Sequence, residues 1–140
     1  MKHRVLVWAA RVALAAVFVD AGVVKARDPG AFIRDLWNFR LLPESVAYWT
    51  AAFVPYLEIA VGLALLSGLQ RRGAHLLAGG LLAVFFCFHA SAWARGLNIA
   101  CGCFGPAPAG SAPLHPGWWM ALILAMMAAL VVSIQAERRQ

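Results

Sequence analysis

The sequence predicts an all-α integral membrane protein, a four-helix bundle with a short interfacial helix in its first loop. Hydrophobic residues make up 63% of the 140-residue chain and charged residues only 13%. A soluble domain is about half apolar and about a quarter charged. The larger apolar share is required where lipid-facing positions, and not only the core, must be apolar. The length fits a single domain over residues 1–140.

Four apolar stretches are long enough to cross a bilayer, which takes about 20 helical residues. They cover approximately residues 5–24, 46–66, 74–94 and 118–134. The loop between the first two stretches carries a further helical pattern, because Phe32, Leu36 and Phe39 fall on one side at helical spacing. This pattern predicts a short helix that lies on the membrane or caps the bundle.

Small residues recur along one face of each long helix and predict the faces on which the helices pack, since close packing drives helix association in lipid. These faces are Ala9, Ala13, Ala16 and Asp20; Ala51, Glu58 and Gly62; Gly80, Cys87 and Ser91; and Ala121, Ala125, Ala128 and Val132.

Ionisable residues within a span are functional candidates, because their burial is costly. Asp20 and Glu58 share the predicted packing faces, so both are expected to point into the bundle. Lys25, about one turn beyond Asp20, is expected to extend to the outer membrane interface. A structural hydrogen bond between helices is the alternative role for both acids.

The distribution of basic residues predicts how the chain is oriented. The net charge is +6, but the basic residues lie mostly at segment ends, where they set topology and meet lipid headgroups, so no nucleic-acid partner is expected. The early basic residues Lys2 and Arg4 place both termini in the cytoplasm. We therefore expect a multi-pass protein of the bacterial inner membrane, with the lipid bilayer as its first partner.

The loop after the third stretch contains Cys101 and Cys103, with Gly102 between them and Gly105 following. Two cysteines at this spacing have their Cα atoms within about 7 Å, which is within reach of a disulfide. So small a ring would be strained, and strained, exposed disulfides are typically labile or catalytic. The Cys-x-Cys motif therefore predicts a redox pair. The alternatives are a static disulfide and a site for a soft metal ion such as Cu(I), whereas no third ligand at zinc-site spacing is present.

The third cysteine, Cys87, shares a predicted packing face with Gly80 and Ser91, which favours a packing role over that of a buried resolving thiol. His89 lies two residues on, about 200° around the helix. The two side chains are therefore not expected to act together as a nucleophile and its base. Both are kept as residues that could support the cysteine pair.

Three segments resemble the MauE/DoxX-like membrane proteins, in particular the MauE branch. They are Asp20-Ala-Gly-Val-Val-Lys25 with Asp28, Pro29 and Phe32; Leu41-Leu42-Pro43 with Pro55-Tyr-Leu-Glu58 and Gly62; and Cys101-Gly-Cys-Phe-Gly105. The resemblance implies a four-helix membrane bundle that supports maturation of methylamine dehydrogenase, whose small subunit needs many periplasmic disulfides. It also implies that Cys101 and Cys103 form the redox pair and that a thioredoxin-like protein is a partner. Asp20, Lys25 and Glu58 match family positions.

The leading functional hypothesis is therefore a membrane thiol–disulfide redox protein that supports oxidation or maturation of an extracytoplasmic thioredoxin-like or disulfide-containing partner. If it is an enzyme, it is a thiol–disulfide oxidoreductase. The rivals are a non-catalytic assembly or anchoring subunit of a redox complex and a carrier of a small molecule or metal ion. The chain contains no Cys-x-x-Cys, so its likeness to quinone-linked disulfide-forming bundles is architectural. Between the two cofactors considered, a quinone is preferred to Cu(I).

Overall fold

The computed structural model describes residues 2–68, 71–97 and 116–138, and every regular element in these ranges is an α-helix. Four of the helices are long and apolar enough to cross a membrane, so the predicted all-α membrane bundle is confirmed. The helices are α1 (Lys2–Arg27), α2 (Pro29–Asn38), α3 (Glu44–Ser67), α4 (Arg71–Ala94) and α5 (Pro116–Arg138).

The antiparallel helices α1 and α3 approach closely because each carries a glycine at the contact. A Cβ atom at Gly22 would lie 2.6 Å from the carbonyl oxygen of Pro55, and one at Gly62 would lie 2.6 Å from a methyl group of Val19. Both distances are too short for carbon, so any side chain here would push the two helices apart. Small residues at this contact are what helix association in lipid requires.

A hydrogen bond also joins α1 to α3, towards the opposite end of their contact. Arg11 of α1 donates a hydrogen bond from Nε to the carbonyl oxygen of Leu65, at 3.1 Å. Carbonyls in the last turn of a helix have no partner within the helix, and the arginine satisfies one of them. Gly68 ends α3 in the left-handed conformation, with φ 71°, and its N–H bonds to the Ala64 carbonyl.

The four long helices form a closed ring, because α1 contacts α3 and α5 while α4 also contacts both. Their inward faces build one apolar core, to which α1 contributes Leu14, Ala15 and Phe18, α3 contributes Val61 and Leu65, α4 contributes Ala74, Ala78 and Leu82, and α5 contributes Ile123, Met126 and Leu130. One polar contact joins α4 to α5 within this core: Nε2 of His75 lies 3.2 Å from the hydroxyl oxygen of Ser133.

Helix α2 caps one end of the bundle, as the spacing of its apolar residues predicts. Asp28 starts the helix by accepting a hydrogen bond from the N–H of Ala31 at 2.8 Å, and Pro29 occupies the first turn. Phe32 and Leu36 are buried against α3. The carbonyl of Phe39, just after α2, accepts a hydrogen bond from Arg95, just after α4. The cap is therefore joined to both α3 and the end of α4.

The small-residue faces were predicted correctly only for α3, where Ala51, Glu58 and Gly62 are buried. The faces marked by Ala13 on α1, Gly80 on α4 and Ala121 on α5 are exposed on the outside of the bundle. Small apolar side chains are accepted both at helix contacts and against lipid, so a stripe of them does not by itself identify the inward face. The inward faces of α1 and α4 carry other alanines, Ala15 and Ala78, beside larger residues.

Replacing Gly22 with alanine should destabilise the protein by about 1–3 kcal/mol, the usual cost of overpacking, because the new methyl group meets the backbone of Pro55. The measurement is thermal unfolding of the purified protein in detergent. Gly80→Ala is the matched control: a Cβ there meets no described atom within 4 Å, so the better helix propensity of alanine should leave stability equal or higher. Equal melting of both variants would contradict the close contact of α1 and α3.

Candidate functional site

A buried ion pair joins the last turns of α1 to the middle of α3. Nζ of Lys25 donates to both carboxylate oxygens of Glu58, at 2.9 Å to each. Only 1% of either side chain is exposed. Charged groups inside a membrane are costly unless they are paired, and this symmetrical geometry pairs them fully. The pair carries no net charge, so it is compatible with an apolar surrounding.

Local sequence explains why these two side chains meet. Gly22 lies nearly one turn before Lys25 and admits the backbone of α3, so that a Cβ at Gly22 would lie 3.1 Å from the Cβ of Glu58. Pro55 lies inside α3, one turn before Glu58, and is fully buried at this contact. The closeness of the two backbones therefore lets a lysine near the end of a span reach a glutamate deep in the next span.

Two aromatic rings complete the surroundings of the lysine. Nζ of Lys25 lies 5.5 Å from the ring centroid of Phe32 and 5.1 Å from that of Phe85. Both distances are within the range of cation–π attraction. Phe32 belongs to α2 and Phe85 to α4, so one ammonium group of α1 interacts with three other helices.

His89 is the third polar residue of the site and is only 4% exposed. Its Nδ1 lies 2.8 Å from the carbonyl oxygen of Phe85. Since a carbonyl only accepts, Nδ1 carries a proton and donates. Nε2 is buried and has no hydrogen-bond partner among the described residues. In the uncharged ring Nε2 therefore presents a lone pair that is shielded from solvent and unused.

Two cavities adjoin these residues and share His89 and Phe85 as wall residues. The α2 cavity, between α2, α3 and α4, holds about 490 Å³ of empty space including its open mouth, with Asp35, Thr50 and His89 among otherwise mostly apolar walls. The ion-pair cavity, between α1, α3, α4 and α5, holds about 400 Å³ on the same measure. Its walls are Lys25, Glu58, His89, Val17, Phe18, Ala21, Leu82, Phe85, Trp119, Ile123 and Met126.

Asp35, on α2, is the acidic residue among the walls of the α2 cavity. Burial raises the pKa of its carboxyl above the usual value; the nearby Arg34 opposes this shift, and Asp28 adds to it by charge repulsion. Helix α2 is outside the four membrane spans. The carboxyl is thus held where ionisation is disfavoured.

Of the sequence candidates, Lys25, Glu58 and His89 come together at the ion-pair cavity. The expectation that Lys25 extends to the membrane interface is wrong, because the residue is buried against Glu58. The expectation that Asp20 points into the bundle is also wrong, because it is exposed. Five residues correspond to about 140° around a helix, so a helix that turns Lys25 inward turns Asp20 away.

The packing role predicted for Cys87 is likewise wrong, since its side chain is exposed on the outside of α4. The inward face of α4 is formed by Ala78, Leu82 and His89, and the rotation of about 200° expected between Cys87 and His89 directs the thiol outward. Cys101 and Cys103 lie outside the described residues. Within the described ranges no three His, Cys, Asp or Glu side chains are grouped to hold a metal ion.

Sequence reasoning missed the pairing of Lys25 with Glu58 and the central place of His89. One signal could have indicated the pair: a lysine and a glutamate both lie within or at the edge of apolar stretches, where an unpaired charge is costly. No comparable signal marks His89, because its role depends on which of its nitrogens is already bonded.

Comparisons with known proteins support the family resemblance. A family model described as methylamine utilisation protein MauE matches residues 3–134. The methylamine utilization protein MauE of Paracoccus denitrificans is 36% identical over 100 residues, which are 71% of this chain and 54% of the relative. The chain thus spans about half the length of that relative. No solved structure matches the chain.

The ion pair should behave as one unit in a double-mutant cycle. Lys25→Met and Glu58→Met should each lower the free energy of unfolding by about 3–5 kcal/mol, because each leaves one buried charge without its partner. The double variant should be more stable than either single variant, since it leaves no charge behind. Unfolding in detergent measures all three, with the exposed Asp20→Ala as control. Additive losses would contradict the pairing.

Asp35→Asn should stabilise the protein more at neutral than at acidic pH. The folded state keeps the Asp35 proton to a higher pH than the unfolded state does. The group therefore favours folding fully below its ordinary pKa of 3.8, and this contribution is lost as pH rises through the raised, folded-state pKa. Melting temperatures of wild type and variant at about pH 4 and about pH 7 test this. A difference that does not grow with pH would contradict it.

Proposed function

The chain belongs to the MauE family of methylamine utilisation proteins, and on that basis we propose that it exchanges disulfides with an extracytoplasmic protein. Cys101 and Cys103 are the exchanging pair. The partner is a thioredoxin-like or disulfide-containing protein, and the exchange supports its oxidation or maturation. The protein acts as a multi-pass thiol–disulfide redox protein of the bacterial cytoplasmic membrane.

One feature of the fold carries the proposal. The segment that contains both cysteines connects Leu97, after α4, to Pro116, at the start of α5. The ion-pair cavity lies between these same helix ends, with His89 on α4 and Trp119 on α5 among its walls. The helices on either side of the Cys-x-Cys segment both line this buried polar site, which supports a role in redox exchange over a purely anchoring role.

The chemistry is thiol–disulfide exchange in two steps. A thiolate of the partner attacks one sulfur of the Cys101–Cys103 disulfide; that bond breaks and a mixed disulfide forms. A second thiolate of the partner then attacks the mixed disulfide, which releases the partner as a disulfide. Two electrons and two protons remain on Cys101 and Cys103, which are now thiols.

The orientation belongs to the same proposal. Basic residues at the start of α1 and at the start of α4 favour a cytoplasmic position for those ends, among them Arg4 and Arg72. With both termini in the cytoplasm, the segment between α4 and α5 faces the oxidising outer compartment, where disulfides persist.

The test replaces each cysteine of the pair with serine. Cys101→Ser and Cys103→Ser should abolish partner oxidation in cells without lowering protein level, and one of them should accumulate a mixed disulfide detectable on non-reducing gels. Cys87→Ser is the control with the same chemical change; because Cys87 is exposed on the outside of α4, it should keep both stability and function.

A membrane-impermeant thiol reagent applied to intact, reduced cells should label Cys101 or Cys103, and labelling only after lysis would reverse the orientation. Full partner oxidation by the double variant Cys101→Ser/Cys103→Ser would exclude the exchange and favour an anchoring subunit.

A further inference from the structure

The unused nitrogen of His89 suggests a ligand for the ion-pair cavity. We propose that this cavity binds the ring of a lipid-soluble hydroquinone, whose hydroxyl group donates a hydrogen bond to Nε2 of His89. The site also accepts the corresponding quinone, and the quinone is the oxidant that regenerates the Cys101–Cys103 disulfide. This inference deepens the proposed function and rests on it for the redox step, but not for the binding.

The hydrogen-bonding requirement comes from His89. Nδ1 already donates to the carbonyl of Phe85, and Nε2 is buried without a partner in the described part of the chain. A buried acceptor without a donor is unfavourable, and the described side chains supply none. A hydroxyl group on a ligand is the donor that we propose for Nε2.

The remaining walls define the body of the ligand. Lys25 and Glu58 neutralise each other, so the cavity does not call for a charged molecule. Phe18, Phe85 and Trp119 supply aromatic surfaces, which favour a flat ring in stacked or edge-on contact. The empty space of about 400 Å³ includes the open mouth, so a substituted ring would occupy the mouth as well as the interior.

The position of the cavity indicates that its ligand enters from the lipid bilayer. All four membrane-spanning helices contribute walls, for instance Phe18, Glu58, Phe85 and Ile123. The cavity therefore lies within the depth of the bilayer, and a ligand dissolved in the membrane is already concentrated around it. A neutral phenolic ring with an apolar tail meets each of these conditions.

The redox step balances with this ligand. The exchange with the partner leaves Cys101 and Cys103 as thiols. Two S–H bonds then break and one S–S bond forms, while the two electrons and two protons convert the quinone to the hydroquinone through two new O–H bonds. Among hydroxyl-bearing rings, the hydroquinone is the class that also has a two-electron, two-proton oxidised form.

One consequence distinguishes this site from a merely apolar pocket. A quinone carries only acceptor oxygens and cannot donate to Nε2 of His89, whereas the hydroquinone can. The site should therefore bind the reduced form about tenfold more tightly, the ordinary value of one net hydrogen bond. Tighter binding of the reduced form makes the bound quinone a stronger oxidant, by about 30 mV for a tenfold preference in a two-electron couple.

The test measures binding to the purified full chain in lipid nanodiscs. Duroquinol, duroquinone, a tetramethylphenol and its methyl ether are titrated separately. Duroquinol should bind about tenfold more tightly than duroquinone, and the phenol about tenfold more tightly than its ether, since only the first of each pair donates. Equal affinities within both pairs would overturn the proposal without any need for a variant.

Two variants locate the binding. His89→Phe keeps an aromatic ring but removes the acceptor, so it should abolish the preference for duroquinol. Trp119→Ala should weaken both forms, whereas Trp118→Ala is the matched control because Trp118 is 63% exposed. Equal losses of affinity in the two tryptophan variants would show that the ligand does not bind in the ion-pair cavity. Tighter binding of a diacylglycerol than of duroquinol would show that the hydroxyl comes from a lipid, and would overturn the choice of a phenolic ring.

The same measurements separate this inference from the proposed function. Binding is repeated with Cys101→Ser/Cys103→Ser, which should keep the affinity and the preference for duroquinol. If the donor-dependent binding is absent while the wild-type cysteines still oxidise the partner, the hydroquinone site is wrong and the exchange stands. If the binding is present but the cysteine variant retains full partner oxidation, the exchange is wrong and the hydroquinone site stands.

Discussion

The bidentate pair of Lys25 and Glu58 is the constraint on which the rest of the bundle depends. Neither charge tolerates an apolar surrounding without the other, so α1 and α3 must meet in the one register that joins them. Gly22 makes that register sterically attainable. The ammonium group also lies against Phe32 and Phe85, which ties the positions of α2 and α4 to the same point. Helix packing and site geometry are therefore consequences of one contact.

The helices themselves were accessible from the sequence because their signals are local. Stretches of about 20 apolar residues mark membrane spans wherever they occur, and the spacing of Phe32, Leu36 and Phe39 marks the cap before any partner is known. The inward faces were not accessible in the same way. In lipid both faces of a helix are apolar, so the periodicity that separates core from surface in a soluble protein is absent. The sequence directed Asp20 to the interior and Lys25 to the membrane interface, and the pairing of Lys25 with Glu58, on a different helix, reverses both positions.

The candidate site was predictable only in part, because a charged residue in an apolar stretch is a local signal whereas its partner is not. The search for ionisable residues in apolar stretches identified Glu58 and Lys25. It placed Lys25 at the membrane interface, although this residue is buried in the bundle. His89 was a candidate only as a support for the cysteine pair, whereas the structure places it in the wall of the ion-pair cavity. Its importance comes from a bond between its Nδ1 and the carbonyl of Phe85, which leaves the other nitrogen unmatched. Which ring nitrogen of a histidine lacks a partner depends on how the protein packs and cannot be predicted from the sequence.

The separation of Lys25 and Glu58 along the chain also bears on how the protein enters the membrane. Lys25 is synthesised 33 residues before Glu58, so α1 is complete while its ammonium group has no carboxylate to bind. Its place near the end of α1 lets the flexible lysine reach the lipid headgroups during that interval. Once α3 emerges, transfer of the two spans together carries no net charge into the hydrocarbon. Biogenesis thus favours a helical hairpin of α1 and α3 as the first unit, with α4 and α5 assembling on a pair that is already neutral.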